Sequence, residues 1–357
     1  MLLKKLGCMF AILALTACNG SGGSSEPQEE RPPLSLAFSE PPIDMPGIVV
    51  DFAKDVRYGD AERNLFDIYL PDCDDPTPLV IYIHGGGFTG GDKGSAHERN
   101  AEDIREILQS CVAYATINYT LLEVPQGDES LDGIVAQGGV RTSLMDAARA
   151  LQFMRYHYTS LNLNASSVAL YGGSAGAGAS LWLGTHDNLA DRDNDDPVLR
   201  ESTRVRAVGA LGTQSTYDII DWEEILLPIT EPFESLLGGT DIPTVAAAVG
   251  STNYLLTFLG VDSLEDIDTA ENIDYRAEID MLEMMDSGDA PIFVHNYTVS
   301  LDDLLNVFLH HGLHALAVKA RADEVGLHSV AYVDDPDFAL EDPSGEGLVS
   351  FLLRHIL

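Results

Sequence analysis

Short apolar runs and stretches of helical spacing alternate along most of this chain. Asp55 to Tyr58 (D-V-R-Y) reads as a first strand, and Asn64 to Leu70 (N-L-F-D-I-Y-L) alternates well enough for a second. Pro78 to Ile83 (P-L-V-I-Y-I) is a continuous apolar run, the pattern of a buried strand. Cys111 to Tyr119, Val168 to Tyr171, Arg204 to Gln214, Pro291 to Tyr297 and Ser329 to Val333 read as further strands. Between them, helical spacing marks Ala101 to Ser110, and Gly138 to Tyr158 with Leu144, Ala148, Leu151, Phe153 and Met154 inward. The stretch after Ser174 and Val307 to Gly326 read as helices too. Strands in alternation with helices predict an α/β fold built on one central sheet. Tyr217 to Gly288 breaks the rhythm, holding short runs such as Ile225-Leu226-Leu227 and Tyr254-Leu255-Leu256 among Gly and Pro.

The amino-terminal residues stand outside this pattern. Lys4 and Lys5 precede a short apolar run from Leu6 to Leu15, too short to span a bilayer and of the form of a secretory signal. It ends in Leu15-Thr16-Ala17-Cys18, which resembles a bacterial lipobox. That resemblance implies cleavage after residue 17, acylation of Cys18 and a lipid anchor in a membrane. Asn19, rather than Asp, then favours the outer membrane. Residues 18–46, with G-S-G-G-S-S-E-P-Q-E-E-R-P-P, are poor in large apolar side chains and predict a flexible tether. The main domain is expected to occupy residues 47–357.

Composition narrows the possibilities. With 357 residues, 45% of them hydrophobic, the chain can bury one large core. Its 57 acidic residues against 20 basic ones leave a formal charge of −37, which excludes nucleic acid as a partner and electrostatic attachment to anionic lipid. A heavily solvated acidic surface follows. The run Asp191 to Asp196 (D-R-D-N-D-D) belongs to it, because the turn glycine and closing glutamate of a calcium loop are missing. Neither a metal nor an organic cofactor is implied.

Candidate chemistry lies at two strand ends. Val168 to Tyr171 runs into Gly172-Gly173-Ser174-Ala175-Gly176, a G-x-S-x-G match in which a strand ends, the backbone turns tightly and a helix starts. Gly172 and Gly176 remove side chains that would collide across the turn, leaving the Ser174 hydroxyl at a helix N-terminus. Upstream, Pro78 to Ile83 feeds His84-Gly85-Gly86-Gly87-Phe88, where bare backbone N–H groups can face a ligand oxygen. From about Asp55 onward the chain resembles the α/β-hydrolase family, in its carboxylesterase and hormone-sensitive-lipase-like branch, on H-G-G-G-F and G-G-S-A-G. The resemblance implies a mostly parallel sheet with an antiparallel start, and a helical cap over residues 217–288. It implies Ser174 as nucleophile, the N–H groups of Gly86, Gly87 and Ala175 as oxyanion hole, and His84 as a structural support. In that topology the second and fourth strands are antiparallel neighbours, so Cys73 and Cys111 are expected to form a disulfide after export.

The family order is serine, then acid, then histidine. Asp302 and Asp303 follow the expected seventh strand, either as the acid or as solvent-facing helix-start residues. The histidine belongs after the last strand, yet Asp334 to Gly347 contains none. His355 lies in an apolar terminal helix and His97 in an exposed loop. Three readings remain. His310 or His311 takes over as base, another group does, or the chain is an inactive binding protein on a hydrolase fold. The leading expectation is a serine esterase acting on a small carboxylic ester or an acetylated carbohydrate.

Overall fold

The structure, a computed structural model, describes residues 31–127, 133, 137–300 and 303–357. Cys18 and the signal segment lie outside the described residues. Nine strands form one sheet: β1 (Phe38–Ser39), β2 (Val50–Arg57), β3 (Leu65–Pro71), β4 (Thr77–Ile83), β5 (Ala113–Ile117), β6 (Leu163–Gly173), β7 (Ala207–Leu211), β8 (Ile292–Asn296) and β9 (Ser329–Val333). Their order is β1-β2-β3-β5-β4-β6-β7-β8-β9. The first three pairings are antiparallel and the remaining five parallel. This is the architecture of an α/β hydrolase.

Burial on both faces explains the apolar runs. On β4, Leu79, Ile81 and Ile83 enter one core, while Val80 and Tyr82 enter the other. The first core is closed by α3 (Gly139–Tyr156), α4 (Ala175–Thr185) and α12 (Gly312–Val325). The second lies under α2 (Ala101–Gln109), which follows the short α1 (Ser95–Arg99), and α13 (Leu348–Ile356). Every residue of α4 is buried, so its run of small residues lets it lie directly against β6 and β7.

Six short helices fill the irregular stretch: α5 (Trp222–Thr230), α6 (Glu234–Leu237), α7 (Ile242–Ala248), α8 (Thr252–Leu259), α9 (Ala270–Ala277) and α10 (Met281–Met284). α11 (Leu304–His310) then connects β8 to α12.

From Pro33 onward the segment expected as tether belongs to the compact body, and residues 18–30 lie outside the described residues. A compact unit runs from Pro33 to Leu357, and β1 pairs with β2 inside that segment. Leu34 and Leu36 pack on one core, Ile43 and Met45 on the other. These few apolar residues, spaced among prolines, are enough to lay an extended chain along the sheet.

Cys73 and Cys111 are joined, their Cα atoms 6.1 Å apart. One follows the end of β3 and the other precedes β5, and the Tyr69–Tyr114 pairing brings those ends together.

Candidate active site

The site is built where β4 and β6 lie side by side. Ile83, the last residue of β4, pairs with Gly172, so both strands release their turns at the same edge. Ser174 follows at φ 54° and ψ −122°, a conformation costly for a residue with a Cβ. Crossing backbones enforce it. A Cβ on Gly176 would stand 1.9 Å from the Ile83 carbonyl oxygen, and one on Gly172 would stand 2.3 Å from the Gly176 carbonyl. Ser174 is half-buried, with its hydroxyl open to a cavity.

The glycine loop closes over this turn. Gly86 has φ 118°, and a Cβ there would meet the Gly90 carbonyl oxygen at 2.4 Å. His84 holds the loop from beneath. Its Nδ1–H donates to the Gly85 carbonyl at 2.7 Å, its ring stacks on Tyr119, and burial pushes its pKa down to about 4. Gly86, Gly87 and Ala175 all line the cavity that Ser174 faces.

Of the two adjacent histidines, His310 reaches the serine. The Ser174 Oγ to His310 Nε2 distance is 2.7 Å, with the hydroxyl donating and the ring nitrogen accepting. The other ring nitrogen, Nδ1, then carries the hydrogen and donates to Asn306 Oδ1 at 2.8 Å. Burial lowers the His310 pKa below its ordinary value, partly offset by the bond to Asn306 and by the charge of Asp303. Buried ties fix the ring's height above the sheet. Asn296, at the end of β8, donates to the carbonyls of His310 and His311, each at 3.2 Å, and accepts from the Thr213 N–H. Gln214 donates to the Leu309 carbonyl at 2.8 Å.

Three sequence expectations are corrected. His311 does not face Ser174. It stands at the break between α11 and α12 with an extended backbone, φ −56° and ψ 146°, and its ring turns away to cap α12, accepting from the Leu313 N–H at 3.2 Å and lying 3.7 Å from the Asp335 carboxylate. Asp303 does not meet the His310 ring either. Its carboxylate is spent capping α11, accepting from the Asn306 N–H at 3.1 Å, and the ring one turn on is met by Asn306 instead. His97 is not an exposed loop residue, because it bridges the Tyr69 hydroxyl and the buried Asp67 carboxylate, each at 2.9 Å.

Sequence reasoning does not reach Asn306, Asn296 or Gln214. Only Asn306 has a sequence signal, its i, i+4 spacing from His310 on one helix face.

Among the described residues, two cavities border Ser174. One, of about 270 Å³, runs beneath the short helices and is walled by apolar side chains that include Trp222, Val245, Leu255, Phe258 and Phe308. The Tyr254 hydroxyl of α8 donates to the Gly87 carbonyl at 3.0 Å, and Tyr217 donates to that of Ala175, fastening this segment to both sides of the site. The other, of about 600 Å³, opens on the far side past Asn306, Tyr82, Tyr297 and Arg99.

The BD-FAE family model matches residues 66–257, more than half of the chain. The chain belongs to the BD-FAE family. This is a family of the α/β-hydrolase esterase type. The BD-FAE match takes in the glycine loop and the serine turn but stops before β8, leaving Asn306 and His310 beyond it. A probable isoprenylcysteine alpha-carbonyl methylesterase of Arabidopsis thaliana is 25% identical over 194 residues, 51% of this chain and 37% of that protein. An isoprenylcysteine alpha-carbonyl methylesterase of the same plant is 28% identical over 133 residues, 35% of this chain and 27% of that protein. The chain thus spans about a third of the length of these curated relatives. Among solved structures, a truncated carbohydrate esterase from gut microbiota superposes with a TM-score of 0.52 at 14% identity, covering 85% of this chain and 89% of that one. An esterase B from Lactobacillus rhamnosis superposes with a TM-score of 0.50 at 15% identity, covering 85% and 84%. At these identities the BD-FAE chain shares their fold.

Proposed function

We propose that the protein is a serine carboxylesterase in which Ser174 is the nucleophile, His310 the general base and Asn306 the group that orients the base. The observation that carries this reading is the 2.7 Å contact between Ser174 Oγ and His310 Nε2. A neutral, half-buried imidazole accepting from a strained serine is suited to removing its proton. Oγ attacks the ester carbonyl as its proton passes to Nε2. The N–H groups of Gly86, Gly87 and Ala175 receive the negative oxygen. The carbon–oxygen bond to the alcohol then breaks, Nε2 returns the proton to the leaving oxygen, and water repeats the cycle on the acyl-enzyme. His310 Nδ1–H stays hydrogen-bonded to Asn306 throughout, since an amide oxygen can accept but cannot take the proton.

The apolar cavity suits the acyl arm, so the acid of the ester is an aliphatic or aromatic one of several carbons. Family membership supports ester hydrolysis, and the filled base position removes the motive for an inactive binding protein. Export with a lipid anchor at Cys18 is part of the proposal, supported by the lipobox-like residues and by a disulfide, which persists in oxidising compartments.

Fluorophosphonate labelling with ester turnover tests the site. The native protein should label, and Ser174→Ala should abolish both labelling and turnover. His310→Ala should lower kcat by roughly 10²–10⁴, while His311→Ala stays within about threefold of the parent rate. Labelling that survives Ser174→Ala, or full turnover after His310→Ala, would remove the assignment.

A further inference from the structure

The second cavity contains one charge of a sign this protein can ill spare. Of the Lys and Arg side chains among the described residues, all but two meet a carboxylate, a carbonyl or another partner. The exceptions are Arg99 and Arg192. Arg192 lies in the exposed acidic loop. Arg99, itself exposed, stands at the end of α1 and lines the cavity that opens onto Ser174 and His310. Although the chain carries 57 acidic residues, none of those described lines this cavity, nor does a second Lys or Arg. A guanidinium without a partner among the described residues, in a hollow that no described carboxylate lines, is poised to take an anion from outside.

The position of the cavity says which part of an ester would bring that anion. His310 and Asn306 both line it, and Asn306 does not border the apolar cavity. His310 borders both cavities, so a group in either reaches the imidazole that returns the proton, and with the acyl arm in the apolar cavity the departing oxygen falls to this one. Tyr297 adds an aromatic wall, the residue 46% exposed and its ring tilted by 44° against His295 at 4.3 Å between centroids. Resting on the esterase reading above, we propose that this cavity is the leaving-alcohol site and that Arg99 selects an alcohol bearing a carboxylate. The planar fork of donors on a guanidinium matches a carboxylate in shape. One cation also matches a single negative charge better than a doubly charged phosphate. The preferred substrate is an ester with an apolar acyl arm and a hydroxy-acid leaving group, cleaved to a carboxylic acid and a free hydroxy acid.

Hexanoyl esters of hydroxy acids two to four carbons long, set against the isosteric hydroxy amides, test this. The ratio of kcat/KM for acid over amide should exceed one at the best length. It should fall roughly five- to tenfold in Arg99→Gln, as for a solvent-accessible charge-assisted hydrogen bond. Arg99→Lys should recover part of the ratio, and Arg192→Gln should leave it at the parent value. A ratio near one that Arg99→Gln does not change overturns the anion site while leaving the esterase reading intact. Absence of turnover on both esters, together with absence of fluorophosphonate labelling, overturns both.

Discussion

Three histidines within five residues, His310, His311 and His314, have three different surroundings. His310 meets Ser174, His311 opens α12 beside Asp335, and His314 is fully buried with Nε2–H donating to the Phe308 carbonyl at 2.9 Å. Its Nδ1 accepts from the Ser215 hydroxyl at 3.0 Å, and burial pushes its pKa down to about 4. The sequence pattern H-H-G-L-H shows the cluster and cannot rank its members, because the choice depends on where a helix ends. The neutral partner of His310 makes a prediction at this scale. Burial disfavours the charged ring and the bond to Asn306 offsets this only in part, so protonation is held below the ordinary histidine value and activity should persist into mildly acidic solution. Asn306→Asp places a carboxylate against the ring and favours its charged form. The acid limb of the kcat/KM profile should therefore move to higher pH by roughly one unit or more. Asn306→Ala should lower kcat by roughly tenfold or more, with KM little changed. An acid limb unmoved in the first variant and a parent-like kcat in the second would reduce Asn306 to a packing residue.

At the scale of elements, the serine turn and the glycine loop are legible because their constraints are local. Close backbone crossings demand glycine, and glycine stands there in the sequence. The helical content of residues 217–288 is expected only through the family resemblance, since the short apolar runs show no more than a break in rhythm, and the cavity beneath those helices is not legible at all. Its walls come from short pieces whose packing no local pattern specifies. Sequence places the start of the body too late, at residue 47, because the apolar residues that dock the preceding segment are few and prolines dominate it. The cysteine pairing follows from strand adjacency and carries a stability prediction. The bridge closes a separation of 38 residues between two strand ends. Replacing both cysteines by serine should lower unfolding free energy by about 3–4 kcal/mol on the chain-entropy account, read as a lower denaturant midpoint with an active folded state. An unchanged midpoint under non-reducing conditions would show that the loop is already constrained by the sheet.

For the whole molecule, charge is what packing leaves unbalanced. A formal charge of −37 surrounds one sheet with two cores, and most basic side chains are already engaged. Self-repulsion of that surface opposes the compact state. Raising salt from about 0.01 M to 1 M shrinks the screening length from about 30 Å to about 3 Å, so Tm should rise by several degrees. A Tm that is flat or falls with sodium chloride would mean that the acidic surface is offset by specific pairs rather than by solvent. Strand periods, turn glycines, the position of the serine turn and the acidic balance are properties of the sequence by itself, since each depends on neighbours within a few residues or on a simple sum. Which imidazole faces Ser174, that an amide rather than a carboxylate supports it, and that Arg99 stands without a partner among the described residues are decided by tertiary structure alone. Ser174 and His310 are separated by 136 positions, and only closure of the sheet, with Asn296 holding the end of β8 to the turn that carries His310, brings their side chains together.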